Sequence, residues 1–366
     1  MMSSRRSRTS SRSLARLLGA ASLATVLAFA VTGCGGTTGN EPAAVPNASG
    51  GPSAAADVPF VFGAFATPLE EPWDGAVHAA LQSAADDGLI KYQHVDNLST
   101  ADEMERALRD IIASEKPDVI FGDAFAAEDA VRAVAKDFPD TKFAFGSGGA
   151  EQAPNLSVFD NWLQDPAYLA GMLAGGLTTS NTIGVVAAMP IPEVNRIVNG
   201  FIEGVTETNP SATVTVSFIN SFFDPATAKQ AAEAAIAGGA DVLFAERDGV
   251  IAAASEHKLP AFGMMVDQQG QAPDYVVTSL LWNMRPTVDQ VVAEVTGGKF
   301  TASNLGKYSY MVNGGSSIAP INTGTAFPIP SDLLKKVQAK HDEITSGAFA
   351  TPINEEAPAG STTVGK

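Results

Sequence analysis

The sequence predicts an α/β protein of two similar lobes, each a parallel sheet flanked by helices. Three observations predict it. From Pro59 onward, short β-rich runs alternate with Ala-rich helical stretches, which is the pattern of repeated βα units. The alternation breaks near the middle of the chain and then resumes. The strands are too many for one compact sheet with that break inside it, so two lobes fit better.

The elements follow in order. Phe60 to Phe65 (FVFGAF) is a strand, and Pro72 to Asp86 is a helix. Thr100-x-x-Glu103 is a capping box that opens the helix ADEMERALRDIIASE. VIFG (Val119 to Gly122), the helix AAEDAVRAVAKDF and the strand KFAFG (Lys142 to Gly146) complete the first set. The second set starts with the buried strand TIGVVAAM (Thr182 to Met189) and the helix PEVNRIVNGFIEGVTETN, with Pro192 near its start. VTVSFIN (Val214 to Asn220) is a strand. In FDPATAKQAAEAAIAGG, Asp224 is the N-cap, Pro225 the first helical residue, and Gly238 or Gly239 the stop. DVLFAE, AFGMMVD and YVVTSLLW are further strands.

The first 57 residues have another character. Arg5, Arg6, Arg8, Arg12 and Arg16 precede a run from Leu17 to Val31 that is apolar or small throughout. This is the layout of a secretory signal peptide. Val31-Thr32-Gly33-Cys34 resembles the lipobox of bacterial lipoproteins, which implies that Cys34 is joined to diacylglycerol and becomes the new N-terminus. Cys34 is the only cysteine, so no internal disulfide can staple the fold. Gly35 to Asp57 is rich in Gly, Pro, Ala, Ser and Thr and reads as a flexible tether. Beyond Asp57 no segment is apolar for long enough to span a bilayer.

The formal charge is −17, and five positive charges more are lost with the signal. Such a body repels nucleic acid and anionic headgroups. His78, His94, His257 and His341 have no metal-ligand spacing, so neither zinc nor any other cofactor is expected. There is no G-x-S-x-G elbow and no P-loop. Nothing argues for catalysis.

In open parallel sheets, ligands bind beyond the carboxyl ends of the strands. Those ends carry Thr67, Asp123, Ser147, Met189, Phe222, Phe223, Glu246, Asp267, Trp282 and Asn283, and Trp73 opens the first helix. The set is rich in aromatics and in amide or carboxylate groups. Arginine stands only next to it, at Arg247 and Arg285. Two lobes facing each other through these loops would enclose a flat, neutral, hydrogen-bonding solute.

From Val58 to about Ile329 the chain resembles the basic membrane protein family, the purine-binding lipoproteins of ABC importers. The motifs are densest in AYLAGMLAGGLTTSNTIGVVAAMPIPEVNRIVNGFIEGV (Ala167 to Val205), in NPSATVTVSFINSFFDPATAKQAAEAAIAGGADVLF (Asn209 to Phe244) and in APDYVVTSLLWN. The resemblance implies a two-lobed type I periplasmic-binding-protein fold, with the ligand between lobes that close by hinge motion. It implies that Trp73 and Phe222 sandwich a purine, that Asp267 hydrogen-bonds the base, and that Asn283 is a polar residue at the hinge side. Asp123 is added as a strand-end carboxylate. Gly146-Ser147, Met284-Arg285 and Thr67-Pro68 depart from the family's pattern and favour a bare base or a different solute.

The expected organisation is a signal peptide over 1–33, Cys34 and tether over 34–57, a first lobe from 58–160 and 282–300, a second from 161–281 and 301–350, and a flexible tail over 351–366. The expected function is that of a lipid-anchored receptor on the outer face of the cell membrane. It would be a monomer and would hand a purine base or nucleoside to a permease and ATPase. The alternatives are the same receptor with a sugar or another heterocycle, a ligand sensor without transport, and a hydrolase built on the same lobes.

Overall fold

The computed structural model describes residues 58–364. The signal peptide, Cys34 and the tether lie outside the described residues.

The first sheet is all parallel, in the order β2-β1-β3-β4-β5. Its strands are β1 (Phe60–Ala64), β2 (Lys91–Val95), β3 (Val119–Asp123), β4 (Lys142–Gly146) and β5 (Leu156–Phe159). Helices α1 (Pro72–Asp86), α2 (Ala101–Ser114) and α3 (Glu128–Asp137) connect them. The capping box is present: Glu103 N donates to Thr100 Oγ1 at 3.2 Å, and Thr100 N to Glu103 Oε2 at 3.1 Å. β2 was not evident in the sequence. It is an edge strand, KYQHV, exposed at Lys91, Gln93 and His94, so it has no apolar run.

The second sheet runs β11-β10-β9-β8-β6-β7-β12. It contains β6 (Thr182–Ala187), β7 (Thr213–Phe218), β8 (Val242–Ala245), β9 (Ala261–Gly263), β10 (Val276–Trp282), β11 (Ser316–Ile318) and β12 (Thr362–Thr363). All pairs are parallel except β10 with β11. The helices are α4 (Gln164–Leu177), α5 (Pro192–Thr208), α6 (Pro225–Ala237), α7 (Val250–His257), α8 (Arg285–Thr296) and α9 (Ser331–Thr345). Asp224 caps α6 as expected, accepting from Thr227 N at 3.0 Å. α4 and α5 cross at close range. A Cβ on Gly204 would stand 1.9 Å from Tyr168 O, and one on Gly171 2.0 Å from Phe201 O. Only glycine permits that approach, which locks the two helices over one face of the second sheet.

The chain passes between the sheets after β5, after β10 and after α8. α8 packs on α1, and Arg285 ties them by donating to Ser83 Oγ at 3.1 Å and Asp87 Oδ2 at 2.8 Å. The return run lies along β5, where Val158 N donates to Ser303 O and Leu305 N to Val158 O. Three connections of this kind make a hinge. The fold is α/β with parallel sheets flanked by helices, in the type I arrangement.

The end of the chain corrects an expectation. Residues 351–364, expected to be a flexible tail, lie across α5 and close the sheet. Thr351 is buried, and Val364 N donates to Phe218 O at 2.8 Å beyond the β12–β7 pairing. The signal was weak because these contacts are made mostly by polar side chains on α5 and not by an apolar run.

Candidate functional site

The carboxyl ends of β1, β3 and β4 face those of β6 and β8 across a cleft. Its inner part is a chamber of about 30 Å³ lined by Thr67, Glu71, Trp73, Asp123, Phe125, Ser147, Glu193 and Phe222. Phe125, Ser147 and Glu193 also line a wider groove of about 520 Å³, which extends along Asp160, Trp162, Arg196, Asn304 and Glu355. Three aromatics and three carboxylates therefore meet in the inner chamber.

Each side chain has a local reason for its place. Glu71 caps α1 because Pro72 at the first helical position fixes the turn. Its Oε2 accepts from Trp73 N at 2.9 Å and Asp74 N at 3.1 Å. Asp74 Oδ2 accepts from Thr67 N and Thr67 Oγ1, which draws the loop after β1 over the helix start. Asp123 ends β3, and its Oδ1 accepts from Phe125 N at 2.9 Å. This short loop sets Phe125 against Phe222 edge-on, with ring centroids 4.8 Å apart. That contact joins the two lobes across the chamber.

The sequence reading singled out Trp73, Phe222, Asp123, Asp267 and Asn283. The structure brings the first three together at the chamber. Trp73 is also a core residue: it is 7 % exposed, stacks on Phe159 at 5.7 Å and tilts against Trp282 at 4.9 Å. Its Nε1 is buried without a partner.

Asp267 and Asn283 are placed elsewhere, and both expectations are corrected. β9 stops at Gly263, four residues before the expected strand end. Met265 then takes a φ of 67°, and the chain turns outward. Asp267 is exposed and accepts from Gln269 N at the start of a 3-10 turn. Its buried neighbour Gln268 faces inward instead, accepting from Met264 N and donating to Asp248 Oδ1. Asn283 is also exposed. It donates to Gly314 O and accepts from Arg285 N, which fixes the entry to α8.

Sequence reasoning missed four charged residues. Arg247 was placed beside the cleft, yet it lies inside, 6 % exposed. It donates through Nε to Glu246 Oε2 at 3.0 Å and through Nη2 to Glu246 Oε1 at 2.9 Å. Its Nη1 donates to Phe222 O at 3.0 Å and reaches Glu71 Oε1 on the facing lobe at 3.5 Å. The guanidinium lies 5.4 Å from the centre of the Phe222 ring. Glu71 and Glu193 were missed because glutamates beside Pro72 and Pro192 read as helix starts. Arg196 was missed because it stands among other polar residues of α5, Asn195 and Asn199, that give no sign in sequence of being buried. It is 2 % exposed, pairs with Asp160, donates to Asn161 O at 3.0 Å and lies 4.1 Å over the Trp162 ring. The one usable signal was local: Glu193 belongs to the P-I-P-E-V motif, and Arg247 follows a strand end.

The cleft is not neutral. Burial pushes the Glu71 and Glu246 carboxyls above their ordinary range, against the opposing pull of Arg247. Burial raises Asp74 to about 7, and burial aided by the charge of Asp160 raises Glu193 to about 8. Asp123 is pushed well up by burial and by the charge of Asp74. Carboxyls raised in this way hold protons near neutral pH, so they offer a ligand both O–H donors and acceptor oxygens. Among the described residues no group of three or more His, Cys, Asp or Glu is arranged to hold a metal.

The fold and this cleft are those of a solute receptor. A family model described as ABC transporter substrate-binding protein, PnrA-like, matches residues 66–309, and the chain belongs to that Bmp family. It is 28% identical over 272 residues to a purine-binding protein of Brucella abortus, covering 73% of this chain and 75% of that one. It is 24% identical over 255 residues to an ABC transporter nucleoside-binding protein of Lactococcus lactis, covering 64% and 71%. A protein of Haloferax volcanii named as an ABC transporter glucose-binding protein is 45% identical over 131 residues, 36% of this chain and only 33% of that relative's length. Among solved structures, an ABC transporter solute-binding protein of Conexibacter woesei superposes with a TM-score of 0.65 at 23% identity, covering 80% of this chain and 98% of the other. One of Aeropyrum pernix gives 0.67 at 20% identity, covering 81% and 94%. These last two bear on the fold alone.

Proposed function

We propose that the protein is the lipid-anchored, extracytoplasmic receptor of an ABC importer, a monomer that closes on a purine nucleobase or nucleoside between its lobes. It performs no turnover of its own. The observation that carries this reading is the inner chamber, where Phe125, Phe222 and Trp73 stand beside Glu71, Asp123 and Glu193. Stacking a base on an aromatic ring contributes ~1–3 kcal/mol. The buried carboxyl groups add hydrogen bonds to ring or amino N–H groups through their acceptor oxygens. Relatives named for purine and nucleoside binding support the same reading.

A chamber of about 30 Å³ is smaller than a base, and ligand pockets run from ~300 Å³ upward. The lobes therefore open for entry, which parts Phe125 from Phe222 and Arg247 from Glu71. A second reading, a sugar as the ligand, rests on the polar lining of the outer groove and on the name of the Haloferax relative.

A thermal-shift screen with hypoxanthine, inosine and D-glucose tests these readings. A ligand at about 100 times its Kd stabilises by ~2.7 kcal/mol. Stabilisation by D-glucose alone would overturn the purine reading. With the ligand found, Phe222→Ala is expected to weaken binding by about tenfold, the lower part of the stacking range. Its ring is only half-buried, so the melting temperature of the empty protein should barely move. Asp267→Asn is expected to leave affinity within about threefold, in keeping with its outward position; titration calorimetry reads both variants. For the anchor, Cys34→Ser should move the protein from the membrane pellet to the soluble fraction, and retention in the pellet would exclude the acylated cysteine.

A further inference from the structure

The outer groove has one wall from the last described stretch of the chain, between α9 and β12. Glu355 lines it together with Asp160, Glu193, Arg196 and Asn304. The backbone that carries Glu355 is held firmly. Asn195 and Asn199 lie one turn apart on α5, and both are buried. Asn195 Nδ2 donates to Glu355 O at 2.9 Å, and Asn199 Nδ2 donates to Asn354 O and Glu356 O at 2.8 Å each. Upstream, Thr351 N donates to Asp165 Oδ1 at 3.3 Å. Two side-chain amides spent on three consecutive carbonyls fix the position of residue 355 without using its side chain.

That side chain is then free to serve the groove. Arg196 Nη1 donates to Glu355 Oε1 at 3.2 Å, and the Glu355 side chain is 42% exposed. Arg196 Nε and Trp162 Nε1 are buried without partners beside it. The groove thus presents four acidic side chains, those of Glu128, Asp160, Glu193 and Glu355, with the Asn304 amide and the Arg196–Trp162 stack. Glu128 is taken up by Arg132, and Glu193 is the one that burial keeps protonated near neutral pH. Carboxylates accept in pairs from neighbouring hydroxyls and repel phosphate or carboxylate groups. This chemistry suits a neutral polyhydroxylated ring attached to whatever fills the inner chamber.

We propose that segment 351–358 is a built part of the ligand site, and that Glu355 is a specificity-determining residue that grips the hydroxylated portion of the ligand. The proposal rests on the purine reading for its choice of probes, inosine and hypoxanthine, which share a base and differ by the ribose.

Titration calorimetry of the full mature chain with both probes is the test. Glu355→Ala is expected to weaken inosine tenfold or more and leave hypoxanthine within twofold. Glu355→Gln keeps an acceptor for Arg196, so it should still lose inosine affinity several-fold if the carboxylate meets the ribose. Melting temperatures should stay within a few degrees, since the Asn195 and Asn199 bonds go to the backbone. Equal losses for both probes, or no loss, would overturn the proposal. Wild-type binding of hypoxanthine but not inosine would overturn it while the purine reading stands. If wild type takes D-glucose and neither purine, the purine reading falls. The proposal then stands only if Glu355→Ala weakens D-glucose tenfold. Binding of none of the three overturns both.

Discussion

Arg247→Met is expected to destabilise the empty protein by ~3–5 kcal/mol, the cost of removing one partner from a buried ion pair. Methionine fills the volume, so the loss is electrostatic. Glu246 keeps only the Ala188 N–H, donated to Oε2 at 2.9 Å, and Glu71 keeps only the α1 amides. The deficit should depend on pH with a definite sign. Both carboxyls already have folded-state pKa values above ordinary ones because of burial. Such a group costs stability only once it ionises in the unfolded chain, so the cost is absent below the ordinary carboxylate range and grows as pH rises through the folded value. Losing Arg247 lifts the folded values further. The gap between variant and wild type should therefore be smallest near pH 4 and widen toward pH 8. Urea unfolding across that range measures it, and a gap that does not change with pH would mean that the guanidinium does not compensate these carboxylates.

Trp73→Ala is expected to cost ~3–5 kcal/mol as a large-to-small core change, and to abolish measurable ligand binding as well. The indole fills the space over Gly146, where a Cβ would stand 2.0 Å from its ring. It also joins Phe159 to Trp282, so its loss opens a cavity under the cleft floor. Trp73→Phe separates the two roles. It should recover most of the stability, since a ring remains between Phe159 and Trp282. If binding returns with it, the unpartnered Nε1 is not a ligand contact. Chemical unfolding together with calorimetry decides.

How far the site could be read from sequence depends on where each residue's partners lie. Strands such as TIGVVA and VIFGD are buried over most or all of their length, so composition alone marks them and their carboxyl ends. Asp123 follows directly, as the last residue of such a strand. Asp224 and Thr100 are capping residues whose partners sit three positions away, within reach of a pattern. Asp267 failed because its place depends on where β9 stops, and the turn at Met265 is made by a non-glycine residue with positive φ. Glu71, Arg247 and Arg196 failed for a different reason. Glu71 and Arg247 are partners across 176 positions, and Arg196 and Asp160 across 36; the ion pair across the lobes exists only once both sheets are assembled. A charged residue with such a partner looks like solvated surface in a single sequence.

The sheet orders also bear on how the chain acquires its shape as it is made. The first sheet needs nothing beyond Phe159, so its five strands can pair while most of the second lobe is still unsynthesised. The second sheet gains its outermost strand only when Thr362 and Thr363 reach Ser217 and Phe218. In the interval α1 lacks its cover from α8, and β7 has an open edge able to pair with another chain. The early half therefore has one apolar helix face uncovered until α8 is made, and the second sheet keeps an open edge at β7 until β12 arrives. Such a sequence leaves a long interval in which the nascent protein needs protection from its neighbours.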